Sequence, residues 1–299
     1  MRWEAAKADV RVPLPMTGGA PIRVVINGAA GDSLSSLDRG LLYGDGLFET
    51  LAISDGRPRF WARHMYRLRE GCRRLAIPFP DEPGLLEECR EAIRGMERGV
   101  LKLILTRGPG GRGYRMPEDP QPTRIIQCHP WAGYAPELAG HGVSVRLCKQ
   151  RLGCNPLLAG IKHLNRLEQV LARREWTDAG IMEGLQCDID DNLIEGTMSN
   201  LFLVRDGSLF TPDLSRCGVA GIMRSVVMEL AGKLPVPVIT QALALADLRR
   251  ADEVFLTNSL IGIWPVAELG GVALRTGPLT RRLQNALASL QAEGETWYA

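Results

Sequence analysis

The chain has 299 residues, 45% of them hydrophobic and 23% charged, the composition of a folded globular protein rather than of a disordered, collagenous or coiled-coil one. Lys+Arg at 36 against Asp+Glu at 34 leaves a net charge of +2, which gives no extended positive field for nucleic acid or an anionic membrane. The seven cysteines are odd in number and contain no C-x-x-C pair, so they read as free thiols of a reducing, cytoplasmic compartment, and no apolar run reaches the roughly 18 residues of a membrane span.

Residues 1–21 mix charge, Pro and Gly without an apolar period and lack the apolar stretch of a secretory peptide; they read as a flexible N-terminal extension. At roughly 150 residues per domain the rest divides in two. Residues 22–129 are expected to form a small α+β domain. Arg23–Ile26 predicts a strand that ends on the hairpin signal Asn27-Gly28. Strands follow over Leu47–Ile53 and Pro58–Phe60, amphipathic helices over Ala62–Leu75 and Glu82–Met96, and strands over Val100–Thr106 and Thr123–His129. Residues 130–141 carry Pro and Gly breaks and little periodicity, and read as the interdomain linker.

Residues 142–299 are expected to form the larger domain. Val143–Cys148 predicts a strand. Asn165–Ala179 predicts a helix with Leu167, Val170 and Leu171 on one apolar face. Strands are predicted at Gly184–Ile189, Asn200–Val204, Ser208–Thr211, Glu253–Thr257 and Ile263–Leu269, and helices at Ile222–Leu234 and from Pro278.

Two familiar patterns fail on their context. Gly108–Gly113 satisfies G-x-G-x-x-G, but the following Tyr114–Pro120 cannot open the helix a dinucleotide site requires. Asp188–Asn192 begins like a calcium loop but has Leu193 and Ser199 where Gly and Glu are needed, so it reads as a hairpin turn. The four histidines show no metal-ligand spacing, and no metal site is expected.

Of the five lysines, Lys162 stands out, within the apolar run NPLLAGIKHLN. Desolvation disfavours an ammonium and leaves an amine able to form a Schiff base, although a snorkelling surface lysine fits the same residues. Glu195 enters a run of small and hydroxyl residues, where a solvated loop glutamate is the plainer reading. Gly218–Arg224 is a glycine-flanked helix start, whose free amides suit an anion. Arg63 and Arg67 share a helix face.

Taken together, the stretches SLDRGLLYGDGLFET (36–50), RHMYRLREGCRRL (63–75), RGPGGRGY (107–114), RLGCNPLLAGIKHLNRLEQVL (151–171), EGTMSNLF (195–202) and GIMR (221–224) resemble the fold-type IV pyridoxal-phosphate (PLP) enzymes. Within that family they resemble most the 4-amino-4-deoxychorismate lyase branch. The resemblance implies an α+β, two-domain architecture of the class IV aminotransferase, D-amino-acid-aminotransferase-like kind, with PLP at the domain interface, and a homodimer. By resemblance Lys162 carries PLP, Glu195 pairs with the pyridine nitrogen, and Arg67, the backbone amides of Ile222 and Met223, and Ser259 hold the phosphate. Arg107, Arg112, Tyr114 and Asn258 are candidates to bind the two substrate carboxylates. The implied reaction converts aminodeoxychorismate to 4-aminobenzoate and pyruvate by proton abstraction at the carbon bearing nitrogen, then elimination. A transaminase of the same family, acting on D-amino or branched-chain amino acids, is the rival. The Arg-x-His carboxylate trap of the D-amino-acid members reads Arg112-Gly113-Tyr114 here, with Phe48 in place of a tyrosine, which argues against that specificity. A binding protein without catalysis is a third reading, and the coincidence of lysine, glutamate and phosphate-site residues argues against it.

Overall fold

The computed structural model describes residues 22–292, so the expected extension, 1–21, lies outside the described residues. Two sheets organise the rest. The first is antiparallel throughout, with strands in the order 29–30, 23–26, 123–130, 98–106, 46–54 and 57–58. Its long members, Gly46–Ser54 and Arg98–Thr106, pair along their whole length. The turn after Arg23–Ile26 takes positive φ at both Asn27 and Gly28, as a two-residue hairpin requires.

The helix Trp61–Leu75 covers this sheet. Trp61, His64, Met65, Leu68, Gly71 and Cys72 are buried, at the three- and four-residue spacing that puts them on one face. Burial of Met65 or Leu68 contributes roughly 2 kcal/mol each. At Gly71 a Cβ would stand 2.8 Å from both δ-carbons of Leu47, so glycine lets the helix sit directly on the strand. That close approach puts His64 and Arg67 over Glu49.

The second sheet has ten strands and is mixed, with 143–147 parallel to both 262–269 and 181–187. An extra pairing, Asn200 with Glu195, joins strand 200–205 to 192–196 and closes a ring of strands. Its core holds Leu185, Leu201, Val254, Leu256 and Trp264. Outside it, the helices Ile222–Lys233 and Pro278–Ala292 pack together over Phe202 and Phe255, whose rings stack 5.0 Å apart.

Several expected elements change. The second helix stops at Ala92, and Phe60 lies at positive φ ahead of the helix Trp61–Leu75 instead of ending a strand. The stretch read as an irregular linker contains a short helix, Pro136–His141, entered through Pro136. The helix expected over Asn165–Ala179 is only Leu167–Arg173. Its apolar face does not enter the core: Leu167, Val170 and Leu171 are exposed.

Candidate active site

A cavity of about 750 Å³ lies between the two sheets, with Lys162 and Glu195 both in its wall. Lys162 is set by backbone pairing on both sides. Gly160 bridges to the 218–220 loop, donating to Gly218 O at 2.9 Å and accepting from Ala220 N at 3.0 Å. Two residues on, Phe48 N donates to the Lys162 carbonyl at 2.9 Å, and Leu164 N to Gly46 O at 3.0 Å. The lysine is thereby strung between the two halves of the chain. Its Nζ lies 4.4 Å from the Phe48 ring centroid. Burial, reinforced by the positive charge of Arg67, brings its pKa down to about 8, so about a tenth of the amine is neutral at pH 7.

Glu195 is not the solvated loop residue its neighbours suggest. It lies on the strand Asn192–Gly196, is buried, and is paired with Gln186 on one side and Asn200 on the other. The Val219 amide donates to its Oε2 at 2.8 Å. Gly218, at φ +84°, makes that approach possible, since a Cβ there would meet Ile194 and Leu214 below 3.0 Å. Burial pushes the Glu195 pKa up to about 7, against the pull of the Val219 amide and of Arg166 and Lys162.

Sequence reasoning missed two buried carboxylates that hold this arrangement. Glu49 accepts from His64 Nδ1 at 2.6 Å, from Arg67 Nε at 2.9 Å, and again from the Arg67 terminal nitrogen. Arg67 also donates to Ala220 O at 2.9 Å, so its guanidinium joins the helix, the strand and the 218–220 loop. With Nδ1–H given to the carboxylate, His64 Nε2 is left to accept from the Ser259 hydroxyl, 3.4 Å away. The second carboxylate, Glu183, accepts from the hydroxyls of Thr197 (2.5 Å) and Ser199 (2.8 Å) and from the amides of Gly184, Thr197 and Met198. It fixes the loop after Glu195 that walls the cavity. For Glu49 the donors come from another element, the helix that carries His64 and Arg67. For Glu183 no sequence pattern announces the role.

The Glu49 carboxylate is held at about 2 by Arg67 and His64 despite its burial. A depressed carboxylate pKa contributes stability that is complete above its ordinary value of about 4.5 and is lost as the pH falls through about 2. Thermal unfolding followed across that window should therefore show a steep loss of stability. The Glu49→Gln variant, which leaves Arg67 with an uncompensated buried charge, should lose about 3 kcal/mol at pH 7 and show a flatter acid limb.

Ile222 and Met223 open the helix Ile222–Lys233, whose N-terminus has no side-chain cap. Gly221 and Ile222 line the cavity, as do Ser259 and Asn258, while the Met223 side chain is buried in the core. Thr257, also in the cavity wall, has a buried hydroxyl without a partner. Arg63, which shares a helix face with Arg67, turns outward to a paired contact with Glu229 at 2.6 and 2.7 Å.

The candidate substrate-binding residues fare unevenly. Arg107 is corrected: it is buried and engaged, with Asp45 through two nitrogens and with the carbonyls of Leu75 and Ala76. It is a structural tie between the end of the helix Trp61–Leu75 and Asp45. Arg112 and Tyr114 are exposed and outside the cavity of their own chain. Arg39 holds that loop through the carbonyls of Gly113, Tyr114 and Arg115. Asn258 does reach the cavity, but its side chain accepts from the Leu260 and Ile261 amides and donates to Met198 O, which shapes the turn. Asp188 Oδ1 likewise accepts from the amides of Asp190 and Asn192, the hairpin turn expected there.

A closed ring of strands, a lysine bridged between two sheets and a buried carboxylate across the cavity define a class, and sequence comparison names it. The chain belongs to the class IV aminotransferase family, whose model matches residues 46–269. It is similar to the structure of 4-amino-4-deoxychorismate lyase from Pseudomonas aeruginosa, at 50% identity and TM-score 0.86, over 89% of this chain and 98% of that one. It is 36% identical to an aminodeoxychorismate lyase of Vibrio harveyi, over 88% of this chain and 98% of the relative. A branched-chain amino acid aminotransferase from Escherichia coli superposes with TM-score 0.78 at 29% identity, over 91% of this chain and 95% of that one. A further branched-chain aminotransferase, complexed with N-(5'-phosphopyridoxyl)-L-glutamate, superposes with TM-score 0.80 at 25% identity, over 93% of this chain and 97% of that one.

Proposed function

We propose that this chain is a PLP-dependent carbon–oxygen lyase that converts 4-amino-4-deoxychorismate to 4-aminobenzoate and pyruvate. The observation that carries the proposal is the placement of Lys162 and Glu195 in the wall of one cavity, with Arg67 and an uncapped helix start beside them. The substrate comes from the likeness to lyases at 50% and 36% identity.

The residues present fit PLP. The orphaned Thr257 hydroxyl, the Ser259 hydroxyl, the free amides of Ile222 and Met223 and the Arg67 guanidinium are the donor set a phosphate monoester needs. When bound, PLP supplies an aldehyde for Schiff-base formation and a ring that accepts electrons. Lys162 is the residue to carry it, because its amine is partly neutral at working pH. Once the substrate amine takes its place on the cofactor, the released Nζ would be free to take a proton from the substrate carbon bearing nitrogen and to give one to the departing three-carbon fragment. Glu195, poised near neutrality, holds or shares the proton of a ring nitrogen placed against it. The Phe48 ring and the 196–199 loop narrow the cavity and keep bulk water from the amine.

We read the chain as a small domain, 22–129, and a larger one from residue 142, joined through 130–141. We also propose a homodimer: Leu41, Leu42, Tyr114, Met116, Leu167 and Val170 are large, apolar and exposed in one protomer. In such a dimer the loop carrying Arg112 and Tyr114 is free to serve the neighbouring cavity. Among the described residues no helix is long and apolar enough to cross a membrane.

The test is release of pyruvate from aminodeoxychorismate by the purified protein, run beside glutamate formation from D-alanine or a branched-chain amino acid with 2-oxoglutarate. Pyruvate release is the expected result. Transamination at full rate without pyruvate release would overturn the assignment.

A further inference from the structure

The cavity contains a half-buried cation with no acidic partner, and the activity described above leaves it unused. Arg166 lies four residues beyond Lys162 and lines the same cavity. Its Nε donates to His163 O at 2.8 Å, and among the described residues that is its one side-chain hydrogen bond. Of the other arginines of the wall, Arg174 is exposed to solvent, and Arg67 and Arg173 are committed. Arg67 is taken by Glu49 and Ala220. Arg173, exposed at the rim, donates to Trp176 O and lies 4.5 Å from the Trp176 ring centroid.

The carboxylates that act on Arg166 from a distance are Glu195 and Glu168, and each is bonded elsewhere. Glu195 accepts from Val219 N and Glu168 from Gly153 N. Its remaining titratable neighbours, Lys162 and His163, offer it no negative charge. One turn along, Gln169 also lines the cavity, and its Oε1 is buried without a partner. Arg166, at the N-cap of the helix Leu167–Arg173, and Gln169 within that helix thus meet the cavity with hydrogen-bonding capacity unused. Removing a guanidinium from water without an anion is costly, and a planar fork of donors suits an anionic oxygen.

We propose that Arg166 binds an anionic oxygen of the ligand pair that fills this cavity, either the ring oxygen beside the PLP aldehyde carbon or a substrate carboxylate. This rests on the PLP-lyase reading. With a substrate carboxylate as the partner, part of the carboxylate grip expected of Arg107 and Arg112 falls to the start of the helix that follows Lys162.

The experiment uses the holoenzyme and its Arg166→Gln and Arg166→Lys variants, with two readouts. The first is the pH midpoint of the visible cofactor band. A cation beside the ring oxygen favours the deprotonated chromophore, so Arg166→Gln should raise the midpoint by about one pH unit if the cofactor oxygen is the partner. The second is the affinity of chorismate, which keeps both carboxylates and lacks the amine. It should weaken about tenfold in Arg166→Gln if a substrate carboxylate is the partner. Arg166→Lys, which keeps the charge without the fork, should recover part of whichever property moved. If the glutamine variant does not fold, the lysine variant is read alone, and a weaker form of either change supports the proposal. Both readouts unchanged in a folded variant overturn it. A wild-type protein with no visible band would instead sink the PLP reading itself.

Discussion

The Lys162→Ala protein, purified with PLP present, is expected to show no cofactor band in the visible and to release pyruvate at least ~10³-fold more slowly than wild type, since it loses both the covalent anchor and the group that moves the proton. The change leaves the backbone bridges at Gly160 and Leu164 intact, because those use main-chain atoms. Loss of activity should therefore not come with loss of fold. The stability of the cofactor-free protein supplies a second readout. The folded pKa of Lys162, about 8, lies below the ordinary 10.5, so the folded state binds this proton less well than the unfolded state. The resulting cost appears as the pH falls through that interval and is complete below about 8. At pH 7, Lys162→Met, which keeps the stem against Phe48 without the charge, should raise the melting temperature of the cofactor-free protein by a few degrees. A Lys162→Ala protein that keeps a full visible band would refute the anchor, and an unchanged melting temperature in Lys162→Met would refute the buried-ammonium account.

What the sequence made legible follows a physical division. Strands and helices with a clear apolar period, such as Arg98–Thr106, Trp61–Leu75 and Ile222–Lys233, lie within a few residues of where the pattern puts them. The helix after Lys162 went wrong because Leu167, Val170 and Leu171 have the spacing of a core face. Spacing cannot say whether that core lies within one chain or, as we propose, between two. Glu195 was placed in a loop because the strand Asn192–Gly196 is short and followed by Thr197-Met198-Ser199. Its strand character comes from pairing with Gln186 on one side and Asn200 on the other, a register that the five residues of the strand do not reveal by themselves. Arg107 shows the same limit from the other side. A glycine-rich loop beside an arginine suggests a ligand grip, and only the positions of Asp45, Leu75 and Ala76 reveal that the guanidinium is held by them. The Glu49–His64–Arg67 and Glu183 networks were out of reach for the same reason: a buried carboxylate is defined by donors that arrive from other elements.

Glu195→Gln separates what a carboxylate does in this cavity from what its shape does. The glutamine fills the same volume and its carbonyl can still accept from Val219 N, so the loop 218–220 and with it the Arg67 contact to Ala220 should remain in place. It cannot supply a negative charge against a ring nitrogen, and turnover should fall by about 10²-fold or more with the visible band retained. In the cofactor-free protein the same substitution should stabilise. The folded pKa of about 7 lies above the ordinary 4.5, so the folded state binds the proton more tightly than the unfolded state does. Wild-type stability therefore declines as the pH rises through that window, while the glutamine variant lacks the decline. The two proteins should melt together near pH 4 and diverge above pH 7, by about 3 kcal/mol as an upper bound. Bound cofactor should erase the difference by giving the carboxylate a partner, so the change that PLP makes in the difference between the two proteins, and not in either melting curve alone, measures the cost of the buried charge. Equal melting at every pH would show that Glu195 is solvated after all, and would remove the electrostatic reason for placing the ring nitrogen against it.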